Sequence, residues 1–146
     1  MGKEKTKRHQ ARVAAFQVLY SLSFTQAPTE DDVKNSYLAI PTNEDNPQEE
    51  TKETSGFAWE LVHGVWSQCQ AIDARIQERL TNWRIERLGT IERTLLRLAF
   101  FELFFLHQTP PKVIMAETLD LCKEFAEPSA KKFIHGILEA AMKQES

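Results

Sequence analysis

Apolar residues recur along this chain every third or fourth position, and no segment shows the strict alternation of a half-buried strand. From Gln10 to Phe24 the apolar set is Val13, Phe16, Leu19, Tyr20 and Phe24, which predicts an amphipathic helix with Arg8 and Arg12 in its basic first turns. Gln26-Ala27-Pro28 stops it, because proline cannot continue a helix interior. Residues 29–40 predict a shorter helix through Val33, Tyr37 and Ile40. Pro41 to Thr54 is polar, acidic and aperiodic, and reads as an exposed loop. Ser55 then reads as an N-cap, followed by the longest clean stripe of the chain: Phe57, Leu61, Val62, Val65, Trp66, Cys69, Ile72, Ile76 and Leu80. Residues 81–89 form a linker with Trp83 and a helical turn. Ile91 to Leu106 is apolar on nearly every side, as suits the centre of a bundle. Gln108-Thr109-Pro110-Pro111 ends it. Val113 to Phe125 and a segment from Pro128 through Phe133, Ile134, Ile137, Leu138, Ala141 and Met142 supply the last two helices.

The expected fold class is therefore all-α, a compact bundle of about six to seven helices. The organisation expected is a flexible basic arm (1–7) and a single helical domain (8–146) with an acidic connector at about 41–55.

Composition sharpens this reading. A chain of 146 residues fits one domain, and only 5 Gly and 6 Pro argue against a turn-rich β-sandwich. No apolar run reaches the length of a membrane span, and MGKEKTKRHQ has no apolar stretch behind its charges, so a cytoplasmic location is expected. The net charge of −3 hides its distribution. Residues 1–12 carry Lys3, Lys5, Lys7, Arg8 and Arg12 against Glu4, a local +4. Residues 29–54 carry eight acids against Lys34 and Lys52, a local −6. A basic arm attracts polyanions. A solubilising tail is the alternative reading.

Catalytic chemistry is missing from the sequence. No Walker loop, GxGxxG or HExxH occurs. His9, His63, His107 and His135 never fall at ligand spacing with a cysteine or another histidine, and Cys69 and Cys122 sit on apolar stripes. No cofactor, metal or enzymatic activity is expected. Two places combine cationic and aromatic side chains as single-stranded RNA recognition requires. One is Arg8, Arg12, Gln17 and Tyr20; the other is Ser129, Lys131, Lys132 and Phe133 at the start of the last helix. Tyr20 and Phe133 equally fit core stripes. Glu86, Arg87, Glu92 and Arg93 offer a surface of mixed sign suited to a protein partner, or a solvated rim.

Three blocks in order, RVAAFQVLY (12–20), NWRIERLGTIERTLLRLAFFEL (82–103) and PPKVIMAETLDLCKEFAEPSAKKFIHGILEAA (110–141), resemble the bacterial transcription antitermination factor NusB family. The resemblance implies a pair of three-helix bundles without enzymatic activity. It implies binding to boxA RNA of nascent ribosomal RNA transcripts together with NusE, a small-subunit ribosomal protein, in a complex with NusA, NusG and RNA polymerase. By position, Arg8, Arg12, Gln17, Tyr20 and Phe133 fall where the family meets RNA, with Ser129, Lys131 and Lys132 beside them. Glu86 and Glu92 fall on the NusE-facing side. This chain departs from the family pattern at Ala116, Ser129, Ala130 and His135. Phe104-Phe105-Leu106 is greasier than a polar helix end, which leaves a homodimer open. A structural helical adaptor in ribosome assembly, without direct RNA readout, is the rival. A NusB-like module in front of an RNA methyltransferase is a second one, but 146 residues leave no room for the cofactor-binding domain.

Overall fold

The computed structural model describes residues 2–40, 54 and 56–145, with backbone alone for residues 2–6, 144 and 145. Ser55 and nearly all of the acidic connector lie outside the described residues. The chain divides into two compact units, residues 1–66 and 67–146. Every regular element among the described residues is helical.

The first unit holds α1 (Gly2–Leu22), α2 (Glu30–Ala39) and α3 (Gly56–Ser67). α1 begins eight residues before Gln10, because Lys3, Glu4, Lys5, Lys7 and Arg8 are good helix formers and outnumber the weaker Gly2, Thr6 and His9. It also ends before Phe24. The Ser23 hydroxyl donates to the Tyr20 carbonyl, and Phe24 and Thr25 N–H groups bond three residues back, to Ser21 (3.3 Å) and Leu22 (3.0 Å). Such local hydroxyl bonds compete with helix continuation. Thr29 caps α2 in a reciprocal box: the Asp32 N–H donates to Thr29 Oγ1 (3.2 Å) and the Thr29 N–H to Asp32 Oδ2 (2.9 Å). α1 packs along α2, whose Val33 and Tyr37 are buried. α3 buries Leu61, Val62 and Val65, and its Trp66 indole N–H donates to the Pro28 carbonyl at 3.1 Å.

The second unit holds α4 (Cys69–Glu78), α5 (Thr90–Phe101), α6 (Pro111–Phe125) and α7 (Pro128–Glu145). The stripe read as one helix from Phe57 to Leu80 is thus interrupted at Gln68, between α3 and α4. No proline marks the break, so the apolar period runs across it unaltered. A 3-10 turn at Ile85–Arg87 fills the linker. α5 packs against α4, α6 and α7, and from Thr94 to Phe104 only Arg97 escapes full burial. Each such Leu or Phe contributes about 1.5–3 kcal/mol relative to exposure. Arg97 instead forms a bidentate pair with Asp73 of α4, both bonds 2.8 Å. The end of α5 widens into a π-turn at Glu102–Leu106, closed by His107 in left-handed geometry (φ 55).

Candidate nucleic-acid interface and partner surface

α1 displays its four candidate residues in two groups. Arg8 is exposed and its guanidinium lies 4.3 Å from the centre of the Phe57 ring on α3. Arg12 is buried, 3% exposed, with its guanidinium 5.0 Å from the same ring. A phenyl face attracts a cation through its quadrupole, and burial strengthens the attraction. Arg12 is therefore a packing residue that helps hold the ring on which Arg8 rests. Gln17 is exposed and Tyr20 half-buried, three residues apart and turned away from Arg8. At 3.6 residues per turn, Arg8 and Gln17 point about 180° apart. The Tyr20 ring stacks on Phe16 at 6.0 Å and meets Phe24 edge-on at 5.1 Å. Lys7, read in the sequence as part of the basic arm, is exposed next to Arg8.

On α7, Ser129, Lys131 and Lys132 are exposed and Phe133 is half-buried. Ser129, Lys132 and Phe133 share one face at three- and four-residue spacing, while Lys131 faces away from it. Lys131 instead acts on the field around Cys122. Burial pushes the Cys122 thiol up to about 11, Glu92 adds to the rise and Lys131 opposes it. A predicted RNA residue and a predicted partner residue thus sit around one buried thiol.

Glu92 has a structural position of its own. It is the third residue of α5, and its carboxylate folds back against Gly89, where a Cβ would collide with it. An acid in the first helical turn faces the positive end of the helix dipole. Glu86 is exposed on the 3-10 turn, 3.5 Å from Arg84 Nε. Its own backbone N–H, then Arg84, hold its carboxyl below the ordinary range. Glu86 also lines an open cleft of about 480 Å³ with Asp73, Gln77, Arg84 and Ile85. Gln77 anchors that edge, donating to the Trp83 carbonyl (2.8 Å) and accepting from the Ile85 N–H (2.9 Å).

Other candidates resolve into structure. His63 lies between Trp59 and Trp66, at ring distances of 5.3 and 5.5 Å, with Nε2 3.4 Å from Glu30. Phe104 is buried, with the Arg75 and Arg79 guanidinium groups 4.6 and 5.1 Å from its ring centre; Phe105 and Leu106 are half-buried. No group of three or more metal-ligating side chains occurs among the described residues, and no helix among them is long and apolar enough to cross a membrane. The pairing of Arg8 with Phe57 escaped the sequence reading, since the two are 49 positions apart and only folding joins them.

Among the described residues the protein is a helical one whose charged and aromatic groups are spread along helix faces. The profile of the NusB family matches residues 9–143. The transcription antitermination protein NusB of Desulfovibrio desulfuricans is 46% identical, over 97% of this chain and 87% of that one. A crystal structure of antitermination factors NusB and NusE in complex with dsRNA matches with a TM-score of 0.74 and 31% identity, over 94% of this chain and 96% of that one. NusB of T. maritima matches with a TM-score of 0.75 and 27% identity, over 93% and 90%. The chain belongs to the NusB family.

Proposed function

We propose that this protein is a transcription antitermination factor that binds boxA-type single-stranded RNA of nascent ribosomal RNA transcripts together with NusE, and that with NusA, NusG and RNA polymerase it keeps elongation processive. The observation that carries the reading is α1 of a NusB-family chain, with exposed Lys7 and Arg8 at one end and exposed Gln17 beside half-buried Tyr20 at the other. Lys7 and Arg8 neutralise phosphates while Tyr20 offers a ring to an unpaired base. Lys132 and Phe133 repeat that pairing of charge and ring on α7. Glu86, exposed and ionised, serves a basic group of NusE across a rim where charge steers association.

Filter binding tests the reading. A boxA oligonucleotide should bind more tightly than a scrambled one, and NusE should widen the difference. Equal binding of both oligonucleotides, with NusE still bound, would leave the helical adaptor as the correct account.

A further inference from the structure

We propose that Phe24 is a further RNA contact, its phenyl ring and that of Tyr20 together forming a stepped platform for two consecutive unpaired bases. The proposal rests on the RNA-binding reading above and extends that site past the end of α1.

Phe24 is 68% exposed, the most exposed large apolar side chain among the described residues. Its backbone is nevertheless well held. The Ser23 N–H bonds to the Leu19 and Tyr20 carbonyls at 3.0 and 3.2 Å, the Phe24 N–H to Ser21 and the Thr25 N–H to Leu22. A ring presented to water on a fixed backbone is pre-organised, so little ordering cost attends a ligand that covers it. Gln17, Tyr20 and Ser21 follow the three-and-four spacing of one face of α1, Phe24 lies in the turn just past its end with its ring against Tyr20, and Gln17 and Ser21 are exposed.

The neighbours select the occupant. A partner helix needs a contiguous apolar stripe, and the exposed residues beside Tyr20 on α1 are instead the polar Gln17 and Ser21. One ring beside an amide and a hydroxyl suits a planar base, which stacks on the ring and hydrogen-bonds at its edge. The centroid separations of 6.0 Å (Phe16–Tyr20) and 5.1 Å (Tyr20–Phe24) keep these rings in mutual contact, so a base stacks on an outer face rather than between them. Tyr20 and Phe24 are nearly perpendicular, 83° between planes. Two bases seated there are turned away from one another, as in splayed single strands.

The test uses the full chain, a boxA oligonucleotide carrying a single 2-aminopurine at successive positions, and the variants Phe24→Ala, Phe24→Leu and Phe24→Trp. Phe24→Ala and Phe24→Leu should weaken binding about tenfold, within the range of one stacked base. Phe24→Trp should retain it, and the quenching of one 2-aminopurine position should vanish in Phe24→Ala and Phe24→Leu but not in Phe24→Trp. The melting temperature and the salt slope should not move. Unchanged affinity in Phe24→Ala, with Arg8→Ala and Tyr20→Ala weakened, overturns the Phe24 assignment and leaves the RNA reading standing. A loss of NusE binding with RNA binding intact overturns it in favour of a protein contact. No RNA binding by the unaltered chain overturns both.

Discussion

Each unit contains a pair of arginines four residues apart, within α1 in the first and at the end of α4 in the second, with phenyl rings beneath them. Arg8 and Arg12 rest on Phe57; Arg75 and Arg79 rest on Phe104, and Arg79 also reaches Phe100 at 5.7 Å. Each pair has an outer, exposed member and an inner one, Arg12 being 3% exposed and the Arg79 side chain 5%. The surroundings differ. Arg79 donates to the Arg75 carbonyl at 2.7 Å and meets Glu78 at 3.3 Å, so an acid adjoins that pair. Arg8 and Arg12 sit in a segment with a local charge of +4. The same guanidinium-on-phenyl arrangement thus stands in a balanced field in one unit and in a positive field in the other, and the proposed function assigns phosphate contact to the exposed Arg8 of the positive one.

Substitutions that separate these roles have graded effects. The largest is expected at Phe104→Ala, which empties a buried ring site and should cost about 3–5 kcal/mol by denaturant unfolding with RNA affinity of the folded fraction unchanged. Phe57→Ala, at a half-buried ring, should cost less stability but weaken RNA binding. If both variants lose RNA affinity equally, the two arginine pairs do not have different roles. Next comes the split within α1. Arg12→Ala should cost about 1–3 kcal/mol through lost packing, whereas Arg8→Ala should lie within about 0.5 kcal/mol of the unaltered chain. Arg8→Ala should instead flatten the slope of log affinity against log salt by about 0.7, the share of one phosphate on a single strand. A slope unaltered in Arg8→Ala removes this arginine from phosphate binding.

A further effect appears only at high pH. Folding raises the Cys122 thiol from 9.0 to about 11 through burial first, so the folded state holds this proton more tightly. The corresponding stability is present below pH 9.0 and lost as the pH rises towards 11. Comparing the unfolding free energies of Cys122→Ala and the unaltered chain from pH 8 to 11 should show a steeper decline in the latter. Parallel curves would show that the thiol is not desolvated.

Much of this architecture was legible in the apolar spacing. α2 and the all-round apolar α5 stand where the pattern placed them, because a buried stripe and a proline stop are properties of local sequence. The break at Gln68 was not legible, since helix interruption without proline or a lost apolar residue leaves no mark on the period. Site residues were read less completely. Arg8, Gln17, Lys131 and Lys132 are exposed as a binding role requires, but Arg12 has the same composition signal as Arg8 and is buried. Glu92 carries the charge expected of a partner residue, yet its carboxylate is turned back over Gly89.

By itself the sequence determined the helical class, the order of the elements, the polarised charge and the family. These follow from local propensity, periodicity and residue order. Tertiary structure alone decided which arginine faces water, which ring supports it and which thiol is desolvated. Exposure and pairing are set by residues tens of positions away, as Phe57 sets them for Arg8 and Arg12.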